Sequence, residues 1–263
     1  MPVARGIKSF FTPVVDLLLP PGCWANGDGE VSFGISESVR TQLATLAAQP
    51  YCFHCGLTIG PYESHDKRNP CGRCGTRDVG VVRIARVGTF TEPLVTLVHR
   101  QKFGKSWEIA GILAPFLYQA MVRVSEETDV KVDALVPVPL HWRRRASRGF
   151  NQGEELAREV FRLSGWPVVH ALRRSRPTFE QARVETAAKR VDNLRGAFSA
   201  RVTAERLAGK HVWLIDDVTT TGATLHAAAS ALRKLPRDAR PASINAAVVC
   251  VTDHASPPAG VPH

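Results

Sequence analysis

The chain has 263 residues, 44% of them hydrophobic, enough for one α/β domain of ordinary size with a buried core and a smaller appendage. A formal net charge of +10 and a pI near 9.7 suit anionic partners, phosphorylated small molecules or nucleic acid, and charge alone does not choose between them. No stretch reaches the length of a membrane span, and four of the six cysteines stand in metal-ligand spacing rather than as a dispersed disulfide framework, so the expected compartment is a reducing cytoplasm.

The first apolar stretch, IKSFFTPVVDLLLPP, is interrupted by Pro13 and Asp16 and has no small-residue cleavage site after it. It reads as a docking helix rather than a signal peptide. Beyond the turn-rich PPGCWANGDGE, residues Ile35, Val39, Leu43 and Leu46 recur at helical spacing, with Ser36 placed to cap them. Cys52-x2-Cys55 and Cys71-x2-Cys74 follow, two knuckles separated by fifteen residues. Four thiolates in this spacing can close a tetrahedral zinc site, and with every position filled by protein the site would be structural. Gly56, Gly72 and Gly75 beside the cysteines permit the tight turns that such knuckles need. Cys23 stands alone and Cys250 falls in an apolar run; both read as packing residues.

Residues 81 to 90 predict a strand entering the main domain. Thr91-Glu92-Pro93 opens a helix, with Thr91 as cap and Pro93 in the first turn, and the helix ends near Lys102-Phe103-Gly104. A second, very apolar helix is expected over Trp107 to Val124. On composition alone Lys102 is a helix-end cation complementing the dipole. Val132 to Leu140 is a buried-strand candidate halted by Pro137 and Pro139, and it runs into a loop carrying Arg143, Arg144, Arg145 and Arg148. Asn151 can cap the helix QGEELAREVFRL, which Gly165 ends. Pro167 to Leu172 predicts a short strand, Arg173 to Arg195 a basic helix-prone segment, and Ala242 to Val251 a closing strand. The tail ASPPAGVPH is expected to be disordered.

The stretch with the most chemistry is Val212 to Thr224, VWLIDDVTTTGAT. Val212, Trp213, Leu214 and Ile215 form a run suited to a strand buried on both faces, and Asp216 and Asp217 stand where that strand should end. Thr219, Thr220, Thr221, Gly222, Ala223 and Thr224 lead into the apolar-periodic LHAAASALRKL. A helix start offers unpaired N–H groups and a positive dipole end; the glycine allows close backbone approach and the hydroxyls add donors. Two carboxylates can accept from neighbouring ribose hydroxyls. The parts fit a sugar phosphate, and a Walker A loop is excluded because no lysine follows the glycine at the required place.

This thirteen-residue pattern resembles the phosphoribosyl-diphosphate (PRPP) signature of type I phosphoribosyltransferases. PVPL…RGFNQ followed by DDVTTTGAT, behind a cysteine ribbon, resembles the ComF family of competence-associated proteins. The likeness extends over residues 50 to 250, through Lys102-Phe103, Arg173-Arg174, Thr178, Gln181, Arg190, Asn193 and Ala197-Phe198. Two departures stand out: Cys23 has only Asn26 where a partner for a second knuckle would be, and the segment between the knuckles looks altered.

The resemblance implies an α/β fold, a mostly parallel sheet flanked by helices with a small N-terminal zinc ribbon. It divides the chain into residues 1–80 (helices and ribbon), 81–254 (phosphoribosyltransferase-like) and 255–263 (tail). It implies PRPP held with Mg²⁺ by Asp216, Asp217 and residues 219–224, pyrophosphate met by Arg143 and Arg144, and Lys102 and Arg148 as further contacts. The segment after Arg173 corresponds to the family's mobile loop. As partners it implies the competence machinery and single-stranded DNA. No residue declares a nucleobase. Three readings stay open: a PRPP-binding protein of DNA uptake and natural transformation; an active Mg²⁺-dependent phosphoribosyltransferase of nucleobase or nucleotide metabolism with an unidentified acceptor; and a single-stranded DNA or partner-protein module without catalysis.

Overall fold

The computed structural model describes residues 35–60, 63, 66, 68–76, 79–103, 106, 108–140, 149–174, 194 and 196–253. The predicted docking helix at the N-terminus, Cys23, the arginines 143 to 148, most of the segment after Arg174 and the tail lie outside them.

The two longest apolar runs make the two central strands. β5 (His211–Thr219) and β6 (Ser243–Val251) lie side by side and parallel, with β1 (Ile84–Thr89) outside β6 and β2 (Ala134–Pro137) outside β5. The order β1-β6-β5-β2 is parallel throughout, so every strand ends on the same edge of the sheet. Such a sheet must be covered on both faces, and it is. One face packs Trp213, Ile215 and Val249 against α1 (Glu37–Ala48), α2 (Leu94–Phe103), α3 (Ile109–Thr128) and α4 (Gln152–Ser164). The other packs Val212, Leu214 and Val248 against α5 (Ala223–Arg233) and the cysteine knuckles. The expected α/β architecture is therefore the one observed. A separate antiparallel pair joins β3 (Leu172–Arg174) to β4 (Phe198–Ala200).

Both outer edges of the sheet are covered. Along β1, the backbone N–H of Ile84 donates to Phe53 O at 2.7 Å, and that of Arg86 donates to Tyr51 Oη at 3.2 Å, so the hairpin of the first knuckle lies beside the strand. Along β2, Leu135 exchanges hydrogen bonds with Pro167 O and Val169 N, both at 2.8 Å. The strand expected over Pro167 to Leu172 is thus a single parallel bridge at Val168, after which the chain turns and regular pairing begins at Leu172.

Local signals explain most boundaries. Ser36 Oγ accepts from Val39 N at 3.3 Å, Asn151 Oδ1 accepts from Gly153 N at 3.2 Å, and Gly165 closes α4 in the left-handed region at φ 73°. The start of α2 differs from expectation. Glu92 rather than Thr91 is the cap, accepting from both Thr96 N (3.3 Å) and Thr96 Oγ1 (2.7 Å), because Thr91 Oγ1 is turned to Thr89. α3 runs a turn beyond Val124, to Thr128, and ends at Asp129 in the left-handed region.

α4 begins unusually close to β5. A Cβ on Gly153 would lie 2.7 Å from the backbone oxygen of Ile215, inside van der Waals contact with atoms that cannot rotate away. Gly153→Ala is therefore expected to push α4 off the strand and destabilise the protein by about 1–3 kcal/mol, read as a lowered urea midpoint at unchanged m-value.

Candidate functional site

β5 does not end at its acidic pair. Asp216 still pairs with Val248 and Val218 with Cys250, so both carboxylates stand on the strand, ahead of its terminus at Thr219. The expectation that the strand stops at Asp216 is corrected, because β6 is long enough to hold the ladder to Val251.

A carboxylate this deep needs compensation, and backbone and α2 supply it. Asp217 Oδ1 accepts from Val218 N at 2.7 Å, and its Oδ2 lies 2.8 Å from Lys102 Nζ. Both side chains of that pair are largely buried, 18% exposed for Lys102 and 12% for Asp217. Composition made Lys102 a helix-end cation; the last turn of α2 instead carries it across the strand ends to the acidic pair. Asp216 Oδ1 accepts from Asp217 N at 2.9 Å. Burial, followed by the negative charge of Asp217, pushes the Asp216 carboxyl up to about 8, against the opposing pull of that N–H and of Lys102.

The turn after the strand holds Thr219 buried, Thr220 exposed and Thr221 half-buried. Gly222 caps α5 in the left-handed region at φ 83°, a conformation glycine takes without Cβ strain. Thr221 Oγ1 accepts from Ala223 N at 3.4 Å, and Thr224 lies in the first helical turn. Helix geometry leaves the first amides of α5 without intrahelical acceptors, directed at the same edge of the sheet. Residues 216 to 224 therefore bring two carboxylates, four threonine hydroxyls and a helix start together where ligands of open parallel sheets sit.

The basic loop with Arg143 and Arg144 is outside the described residues, but both its ends are fixed. Val138 N donates to Ile215 O at 2.9 Å, and Asn151 Nδ2 donates to Val138 O at 3.1 Å. The chain thus leaves and re-enters the fold next to Ile215, one residue before Asp216. Arg173 and Arg174 lie on β3, Arg173 Nε donating to Ser199 Oγ at 2.8 Å and Arg174 standing 5.3 Å from the centre of the Phe198 ring. Thr178, Gln181, Arg190 and Asn193 are outside the described residues.

On the α5 face, Cys52, Cys55, Cys71 and Cys74 bring their sulfurs within 4.8 Å of one another, with three of the separations at 3.5, 3.6 and 3.7 Å. Disulfide bonding is excluded by those distances. A tetrahedron with metal–sulfur bonds of about 2.3 Å has edges of about 3.8 Å, so the four positions fit a single ion. The N–H of His54 donates to Cys52 Sγ at 3.4 Å, while its ring faces Arg83 and Arg68 O rather than the sulfurs.

Comparison with known proteins decides the family. The chain is 35% identical over 204 residues to Competence protein F of Haemophilus influenzae, covering 77% of this chain and 85% of that protein. The chain belongs to the ComF family. It is also 34% identical over 222 residues to the DNA utilization protein YhgH of Escherichia coli K12 (80% and 89% covered), and 28% identical over 201 residues to Competence protein ComFC of Bacillus subtilis (75% and 77% covered). No protein-family model and no solved structure matches the chain.

Several residues that shape this ComF site were not singled out from sequence. Gly153 carried a signal, since a glycine directly after Asn-Gln at a helix start invites a close approach. Arg86 carried none: it is 1% exposed in the middle of β1, its guanidinium donating to Gly56 O at 2.6 Å and Thr58 Oγ1 at 2.9 Å. Asp253 is placed beside the cysteine hairpin only by the fold, accepting from Thr58 N at 2.8 Å.

The raised Asp216 carboxyl fixes a pH response. Between its ordinary value near 4 and about 8 the folded ComF chain keeps a proton that the unfolded chain gives up, so stability falls as pH rises through this window. Asp216→Asn is expected to flatten that decline, as measured by thermal unfolding midpoints from pH 5 to pH 8.5.

Proposed function

We propose that this chain binds PRPP, with magnesium, through residues 212–224, and that it does so in the service of DNA uptake. The observation that carries the reading is the adjacent pair Asp216 and Asp217, held with Lys102 on a parallel strand directly ahead of Gly222 and the start of α5. Asp216 and Asp217 accept from the ribose hydroxyls; the turn amides and the hydroxyls of Thr220, Thr221 and Thr224 take the 5′-phosphate. Arg143 and Arg144, on a loop whose ends flank Ile215, meet the pyrophosphate as planar bidentate donors.

Magnesium suits the oxygen-only donor set, and it would neutralise charge on the pyrophosphate. Lys102 already engages one oxygen of Asp217, so the carboxylates serve better as hydroxyl acceptors than as a direct magnesium cage. The cysteine cluster takes a structural zinc, for which its sulfur spacing is right, and a reducing cytoplasm keeps those thiols available. The DNA role rests on relatives named for competence and for DNA utilization. No sequence motif declares a nucleobase, so ligand binding rather than base salvage is the function proposed.

Calorimetric titration should show PRPP binding that requires magnesium and is lost in the Asp216→Ala/Asp217→Ala double variant while the unfolding transition persists. Unchanged affinity in the double variant would remove the sugar site from this loop. Elemental analysis of protein purified without chelator should find about one zinc per chain, falling several-fold in Cys71→Ser. Complementation of a Haemophilus influenzae strain lacking Competence protein F should restore transformation with the wild type and not with the double variant.

A further inference from the structure

The cysteine hairpin is tied to the strand end that feeds the 220–224 turn, and the ties pass through two residues. Thr58 uses all its polar groups. Its carbonyl accepts from Arg73, which sits between the ligand positions Cys71 and Cys74; its hydroxyl accepts from buried Arg86; its N–H donates to Asp253 Oδ2 at 2.8 Å. Asp253 Oδ1 lies 3.5 Å from Arg73 Nη1, with the Asp253 side chain 10% exposed. The residue before it, Thr252, donates its N–H to Thr219 O at 2.9 Å, at the last residue of β5.

A second contact braces the other side of the turn. Gly80, on the chain leaving the cysteine region, lies so close to α5 that a Cβ there would be 2.6 Å from His226 Cα. Arg233, at the far end of α5, donates to Gly80 O at 2.5 Å. The turn from Thr220 to Thr224 is therefore flanked before and after by residues in contact with the cysteine region.

We propose that Asp253 is a positioning residue that couples the two sites, so that zinc in the cysteine cluster and PRPP in the 220–224 turn tighten one another's binding; this rests on the PRPP reading above. Opening the cluster frees Arg73 from between Cys71 and Cys74, loosens its hold on Thr58 and Asp253, and lets the Thr219 end of β5 shift. Coupling of this kind is reciprocal: whatever factor zinc adds to PRPP affinity, PRPP adds to zinc affinity.

The test measures zinc affinity of the full chain by competition with a chromogenic chelator, in excess magnesium, with and without saturating PRPP. In the wild type PRPP should raise zinc affinity about tenfold, a typical coupling. In Asp253→Asn, which keeps an oxygen for Thr58 N but loses the charge facing Arg73, the gain should fall below about twofold while PRPP still binds the zinc-loaded variant. An equal gain in the variant would show general ligand stabilisation and overturn the coupling through Asp253. No gain in a wild type that binds PRPP by calorimetry would overturn the coupling itself and leave the PRPP site standing. A zinc-loaded wild type that does not bind PRPP would instead overturn the PRPP reading, and the coupling with it.

Discussion

The whole arrangement turns on one awkward placement: two adjacent carboxylates on a strand that a parallel sheet buries. β5 is central, flanked by β6 and β2 and covered on both faces, so Asp217 is buried and Asp216 half-buried, and water alone does not solvate the pair. The cost is met locally, by one backbone N–H to each aspartate, and at longer range by Lys102 from another element. That long-range partner ties α2 to β5, and the close packing of Gly153 on Ile215 ties α4 to the same point. The helix layer on this face therefore converges on the acidic pair. Asp216 keeps the remainder of the burden as a raised pKa, which a ligand offering hydroxyl donors would relieve.

A second buried charge does corresponding work on the opposite face. Arg86 brings a guanidinium into the core, and its donors go to Gly56 O and Thr58 Oγ1 of the cysteine hairpin, with the Tyr51 ring 4.8 Å away. Held by a backbone and a hydroxyl oxygen of the hairpin, the arginine fixes the hairpin's position and places Thr58 where Arg73 and Asp253 also reach it. The metal-type cluster is thus built into the sheet rather than hung from it.

The sequence was informative where one residue type answers one local need. Apolar runs located β5 and β6, Ser36 and Asn151 declared their caps, Gly165 declared its helix end, and the cysteine spacing declared the cluster. It was uninformative where the partner is distant along the chain. Lys102 and Asp217 are separated by 115 positions, so nothing local tells a helix-end lysine from an ion-pair partner. The strand's run past Asp216 depended on the length of β6, the capping by Glu92 depended on where Thr91 turned, and the role of Arg86 depended on a hairpin thirty residues upstream.

The covered sheet edges carry a consequence for recognition. The first cysteine hairpin takes up the outer edge of β1 at Ile84 and Arg86, and residues 167–169 take up the outer edge of β2 at Leu135, so part of each outer ladder is already occupied. An extended peptide cannot add itself to this sheet as another strand without first displacing one of those segments. The strand ends and the helix surfaces are left as the open approaches to this sheet, and the strand-end rim is where the acidic pair and the turn of α5 already lie.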